Sequence, residues 1–252
     1  MPRNQHTDKK EFQTLFAGLC QTRHVWRAWS DFIEVSAISI ANTLDHGDVN
    51  LQREQRYLEI MKDYTSDEQA LFPPLFHAMV GALEADPEQD FLGAQFMELQ
   101  LGNHWKGQFF TPYCVCRLMA QLEAGGAQQQ VLEKGYFTIN DCCCGAGALL
   151  IAARNVFQEQ SLGHTSVFYV AQDIDRTAGL MCYIQLSLLG CAGYVVIADA
   201  LLNPVVGDPL APAFTESHDV WYMPMFFDPV WQERIVWKQL DRLFRRQLPK
   251  KT

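Results

Sequence analysis

Along residues 11 to about 101, apolar side chains return every three or four positions, as at Ile33, Ala37, Ile40 and Leu44, without strand-like alternation. That period is helical. A second helix is expected over 49–63. Thr65 followed by Glu68 has the spacing of a capping box for the next one. Pro73 and Pro74 interrupt that pattern, since proline lacks an N–H and clashes with the preceding turn, so a break or restart belongs there. A further helix follows Pro87. These stripes read as packing faces rather than chemistry, and residues 1–104 are expected to form a small helical domain.

From residue 105 the texture changes. GQFFTP leads into a helix with Val115, Leu118, Met119 and Leu122 on one face. Thr111 suits its N-cap and Pro112 its first helical position. Beyond it, strand-like runs at 136–140, 166–171, 194–197 and 219–222 alternate with helical ones. Such alternation argues for a parallel sheet with helices on both faces. Residues 105–252 are therefore expected to form an α/β domain.

Composition narrows the class. The chain has 252 residues, 48% hydrophobic and 19% charged, enough for one large or two small domains with a real core. No run approaches the ~18 apolar residues of a membrane span, and the start MPRNQHTDKKEF is polar, so a cytoplasmic protein with no membrane partner is expected. The eight cysteines lack zinc-ribbon spacing, and Cys114 and Cys116 would point to different faces of a helix, so no metal site is expected. A net charge of −9 opposes nonspecific attraction to nucleic acid, although Lys238, Arg242, Arg245, Arg246, Lys250 and Lys251 make the last fifteen residues basic. That balance favours help from a partner.

The candidate chemistry begins at YFTINDCCCGAGALLIAA, a strand ending in Asp141 that turns through Gly145 and Gly147 into a helix. Small residues there let a ligand approach the backbone, and helix N-terminal amides can meet its polar groups. The next strand ends in Asp173 and Asp175, where a nucleotide-binding sheet places an acid for ribose hydroxyls. A third ends at Asp199, positioned for an adenine amino group. Each acid alone reads equally well as a helix cap. Three at the same edge of one sheet point to a ligand, because open α/β sheets bind at the carboxyl ends of their strands.

The blocks DFLGAQFMELQLGNHWKGQFFTP, DCCCGAG, AQDIDRTAGLMCYIQLSLLG and ADAL, over residues 90 to 202, resemble the N6-adenine DNA methylases typified by the modification subunit of type I restriction-modification systems. The helical start and the length resemble a shorter set of such proteins associated with phages and plasmids. The resemblance implies an abridged Rossmann-like, S-adenosyl-L-methionine-dependent methyltransferase domain after a small helical domain, with DNA as substrate. It places Phe109, Phe110, Thr111 and Pro112 on the methionine side of the cofactor, and Asp141, Cys142, Gly145 and Gly147 around its amino-acid moiety. Asp173 would hold the ribose, Ile174 would pack on the adenine ring, and Asp199 with Ala200 would meet the adenine edge. The implied strand order is third, second, first, fourth, with the first strand central.

The resemblance also places HDVWYMPMFF where the family carries Asn-Pro-Pro-Phe or Asn-Pro-Pro-Tyr, with Met223, Pro224, Met225 and Phe226 aligned. Met223 stands where the Asn would accept hydrogen bonds from the target amino group, and a thioether sulfur is only a weak acceptor. Phe226, Tyr222 or Trp221 retains an aromatic face for stacking. The sequence after Phe226 reads as one helix rather than three further strands, so an exposed sheet edge covered by a partner or a second copy is expected. Three readings stay open: an adenine-N6 DNA methyltransferase, a cofactor-binding protein without catalysis that assists or antagonises a restriction-modification system, and a methylase of another substrate.

Overall fold

The computed structural model describes residues 5–44, 48–99, 101 and 110–247. The first part is helical, as the periodicity requires: α1 (Gln5–Leu19), α2 (Val25–Asn42), α3 (Asp48–Lys62), α4 (Ser66–Gln69), α5 (Phe72–Ala85) and α6 (Phe91–Glu98). Thr65 and Glu68 form the expected capping box on α4. Pro73 and Pro74 sit in the first turn of α5, where a missing N–H costs nothing, so they open a helix instead of breaking one. Ile33 and Ala37 are buried in α2, whereas Leu44 lies beyond its end and is exposed.

The second part runs α7 (Tyr113–Glu123), α8 (Ala127–Lys134), β1 (Phe137–Asp141), α9 (Ala148–Glu159), β2 (Val167–Asp173), α10 (Arg176–Leu188), β3 (Ala192–Ile197), β4 (Val206–Asp208), β5 (Ala211–Ala213), β6 (Asp219–Tyr222) and α11 (Pro229–Gln247). A short 3-10 turn at Pro224–Phe227 precedes α11. The start of α7 differs from expectation: Pro112 occupies the N-cap, without a side-chain cap, and Thr111 lies outside the helix. The row Val115, Leu118, Met119 and Leu122 faces outward, and α7 buries Cys116 and Ala120 instead.

The main sheet has the order β1-β2-β3-β6. β1, β2 and β3 are parallel, and β6 is antiparallel to β3. This corrects two expectations: β1 is an edge strand rather than the central one, and the fourth strand joins β3 rather than β1. The cause lies in the connection. Parallel neighbours need a crossover, normally a helix, and α9 and α10 supply it for the first three strands. Between β3 and β6 the chain instead forms the two-stranded β4–β5 hairpin, and it returns alongside β3 in the opposite direction.

Alternate residues of the strands face two clusters. On one side Tyr169, Ala171, Val195, Trp221 and Met223 join a core that continues through α9 and α10 to Phe12, Trp29 and Phe32 of the N-terminal helices. On the other side Phe168, Val170, Tyr194 and Val196 pack against Trp231 and Ile235 of α11. The helical part is also tied to α10 by polar contacts. Glu34 pairs with Arg176 at 3.1 Å, while buried Gln185 accepts from Leu92 N–H at 3.0 Å and donates to Asp90 at 2.8 Å. Among the described residues no helix is long and apolar enough to cross a membrane. All eight cysteines are free thiols.

Candidate functional site

The carboxyl ends of β1 and β2 lie side by side, with Asp141 paired to Ala171 and Asp173 two residues further along β2. Between them runs the turn that starts α9. Gly145 and Gly147 have φ of +53° and +95°, left-handed values that L side chains rarely adopt. A Cβ at Gly145 would also stand 3.0 Å from the Phe110 ring, and one at Gly147 2.9 Å from Cys182 Sγ. Hydrogen bonds then fix the turn: Cys144 N–H donates to Gln172 O at 3.0 Å, Gly147 N–H to Cys144 O at 2.8 Å, and Gly145 N–H to Asp173 Oδ2 at 2.8 Å.

The turn borders an open cavity of about 360 Å³ lined by Phe110, Thr111, Cys116, Cys143, Cys144, Gly145, Leu149 and Asp173, among others. Burial raises the pKa of both Asp141 and Asp173. At Asp173 the N–H bonds from Asp175 and Gly145 oppose that rise, and at Asp141 the bond from Cys143 does so. The thiols of the pocket are held protonated: burial pushes Cys116 up to about 11 and also raises Cys143. They act here as small apolar walls rather than nucleophiles.

Each acid closes a local turn as well. Asp141 accepts from Cys143 N–H at 3.1 Å, Asp173 Oδ1 from Asp175 N–H at 2.8 Å, and Asp175 caps α10 through Ala178 N–H at 2.9 Å. Asp199 Oδ1 accepts from Leu201 and Leu202 N–H at 2.8 and 3.1 Å. Capping and ligand binding are compatible, since a carboxylate oxygen keeps a second lone pair after one bond. The structure therefore brings Phe110, Thr111, Gly145 and Asp173 to one cavity, with Asp141 beside it. Pro112 and Gly147 shape the flanking helix starts. Cys142 is exposed and its neighbours Cys143 and Cys144 reach the cavity in its place. Ile174 is 70% exposed, while Asp199 and Ala200 follow β3 on the next loop. Phe109 lies outside the described residues.

Sequence reasoning missed Gln172. This buried side chain donates to Ala198 O at 3.3 Å and Asn203 O at 2.8 Å and accepts from Val205 N–H at 3.2 Å, so it sets the loop that carries Asp199 and Ala200. A lone amide in the apolar run VFYVAQD was the available signal.

The segment that the resemblance sets against the family's tetrapeptide, Met223 to Phe226, lies elsewhere. Because β6 runs against β3, Asp219 pairs with Ile197 near the site, whereas Tyr222 pairs with Tyr194 and Met223 N–H donates to Gly193 O at 3.0 Å. Met223 is fully buried in the core. The rings of Tyr222 and Phe226 meet at a tilt of 35°, centroids 4.4 Å apart, and pack with Tyr194 and Phe168 on the α11 side. Met223, Pro224, Met225 and Phe226 thus sit at the amino end of β3, away from the glycine turn.

Fold and site together define an α/β protein with a cavity at the carboxyl ends of the parallel strands of a mixed sheet, opened by a strand, glycine turn and helix. The model of the N-6 DNA Methylase family matches residues 96–249, more than half of the sequence, and the chain belongs to that family. A comparison with curated proteins finds no match.

Proposed function

We propose that this chain binds S-adenosyl-L-methionine in the cavity beside the glycine turn, as a DNA adenine-N6 methyltransferase-like protein, and that it lacks an amino-group acceptor at Met223. The observation that carries the first part is the pair of half-buried carboxylates, Asp141 and Asp173, at adjacent strand ends around a turn with no room for side chains at Gly145 and Gly147. Burial makes their negative charge costly, and a cationic ligand offsets that cost. When bound, the cofactor supplies an electrophilic methyl group on a sulfonium. The chain's own part is to hold its amino-acid moiety by the turn amides and Asp141, to take the ribose hydroxyls on Asp173, and to offer Ile174, Asp199 and Ala200 to the adenine. Phe110, Thr111 and the protonated thiols of Cys116 and Cys143 keep the methionine side apolar.

The burial of Met223 favours the second part. A base amino group needs a positioned acceptor to attack in line with the methyl, and losing one costs on the order of 3 kcal/mol, about a hundredfold in rate. The purified chain should therefore bind the cofactor yet transfer methyl groups to DNA weakly or not at all, acting with or against a partner of a restriction-modification system.

Calorimetry tests the binding, with Asp173→Ala expected to weaken it by about 1 to 3 kcal/mol. Absence of binding at millimolar cofactor would sink the proposal. Transfer of labelled methyl to duplex and single-stranded DNA tests the activity, and robust turnover by the chain alone would overturn its second half.

A further inference from the structure

The last helix has two apolar faces, and the described residues cover only one of them. On the inner face Trp231 and Ile235 are buried under the sheet. Arg234 reaches Thr165 O at 2.6 Å and Gly135 O at 2.8 Å, Lys238 pairs with Asp208 at 2.9 Å, and Arg242 donates to Ala211 O at 3.1 Å. These contacts run from the first turn to the fourth, so α11 is fixed in rotation and position. The outer face presents Val236, Trp237, Leu240, Leu243 and Phe244, which are 37% to 66% exposed.

We propose that this outer face of α11 is a homodimer interface in which two copies of the helix pack antiparallel across a two-fold axis at Leu240. The five positions are symmetric about Leu240: Val236 and Trp237 lie four and three residues before it, Leu243 and Phe244 three and four after it. A two-fold interface places the same patch against itself. Reversal about Leu240 sets Trp237 against Leu243 and Val236 against Phe244 of the second copy, so that each aromatic ring faces a smaller aliphatic side chain. The exposed parts of these side chains amount to roughly 550 Å² per copy, an upper bound of ~1,100 Å² in total that is on the scale of the ~1,000 Å² of a specific interface. Among the described residues of α11, Lys238 and Arg242 are turned inward onto Asp208 and Ala211, so neither stands in the outer face.

Sedimentation equilibrium on the full chain at up to about 100 μM, the range expected for an interface of this size, reads the outcome directly. Wild type should reach twice its 28.7 kDa mass. Trp237→Glu and Leu243→Glu should each weaken association at least tenfold with unchanged circular dichroism, because both side chains lie outside the core. In Leu240→Cys a short bismaleimide should join the two introduced thiols of a dimer to each other, a pairing only an on-axis position makes, identified by peptide mass against the unmodified chain. A monomer at the highest concentration overturns the proposal, as does a dimer that survives both Glu variants or a cross-link from the introduced thiol to a native cysteine only. A monomer that binds DNA or anionic vesicles, and loses that binding on Trp237→Glu, assigns the face to those ligands and equally overturns it.

Discussion

The two ends of the sheet make an instructive pair. At the carboxyl end, β1 and β2 deliver Asp141 and Asp173 to a glycine turn, and Asp173 lines a cavity there. At the amino end of β3, the segment from Tyr222 to Phe226 carries aromatic and sulfur side chains that would suit a base-binding pocket, and it packs them into the core. Similar strand-end positions thus serve opposite purposes. Strand direction decides which: the ends of parallel strands gather on one edge, while an antiparallel neighbour sends its own carboxyl end to the other.

The largest effect should come from the glycine turn. Gly147→Val places a β-branched residue at φ +95° with its Cβ against Cys182, and should cost about 3 kcal/mol or more in chemical denaturation, with cofactor binding lost. Stability within about 1 kcal/mol of wild type would mean that the turn is not rigid.

Next comes Met223→Asn, which introduces the residue that the resemblance implies at this position. In this fold it buries an amide in an apolar core, so stability should fall by about 2 to 3 kcal/mol and methyl transfer should not appear. A gain of methyl transfer would break the contrast between the two ends and return the segment to the active site.

A smaller loss is expected for Gln172→Leu, which keeps the volume and removes three hydrogen bonds to the 198–205 loop. Cofactor affinity should drop by about 1 to 2 kcal/mol through the misplaced Asp199 loop, while Asp199→Ala alone costs less. Equal effects of the two substitutions in calorimetry would show that Gln172 does not act by positioning.

The smallest effect is on pH. Asp141, Asp173 and Asp90 all have pKa values raised by burial above the ordinary 3.8. The folded chain therefore holds protons that the unfolded chain has released, and their contribution to stability is lost as pH rises through the raised values. Binding of a cation needs the charged form of Asp141 and Asp173, so affinity should move the opposite way and fall as pH drops through the same window. Parallel pH series of unfolding and of calorimetry should show these opposite slopes; slopes of the same sign would remove the two acids from the proposed cofactor site.

Much of this was legible from residues alone. The helical period of Ile33 and Ala37, the Thr65–Glu68 cap, the four strands of the main sheet, the glycine turn and the acids at the strand ends are all local, set by spacing of three or four residues or by alternation of two. What only the tertiary structure decided was non-local. Whether β6 would lie beside β1 or β3, and in which direction, depended on the β4–β5 hairpin replacing a crossover helix, and that choice moved Met223 from an expected active site into the core. Likewise the row on α7 and the outer stripe of α11 have the spacing of buried faces and are exposed, because periodicity marks a face as apolar and only packing decides whether something covers it.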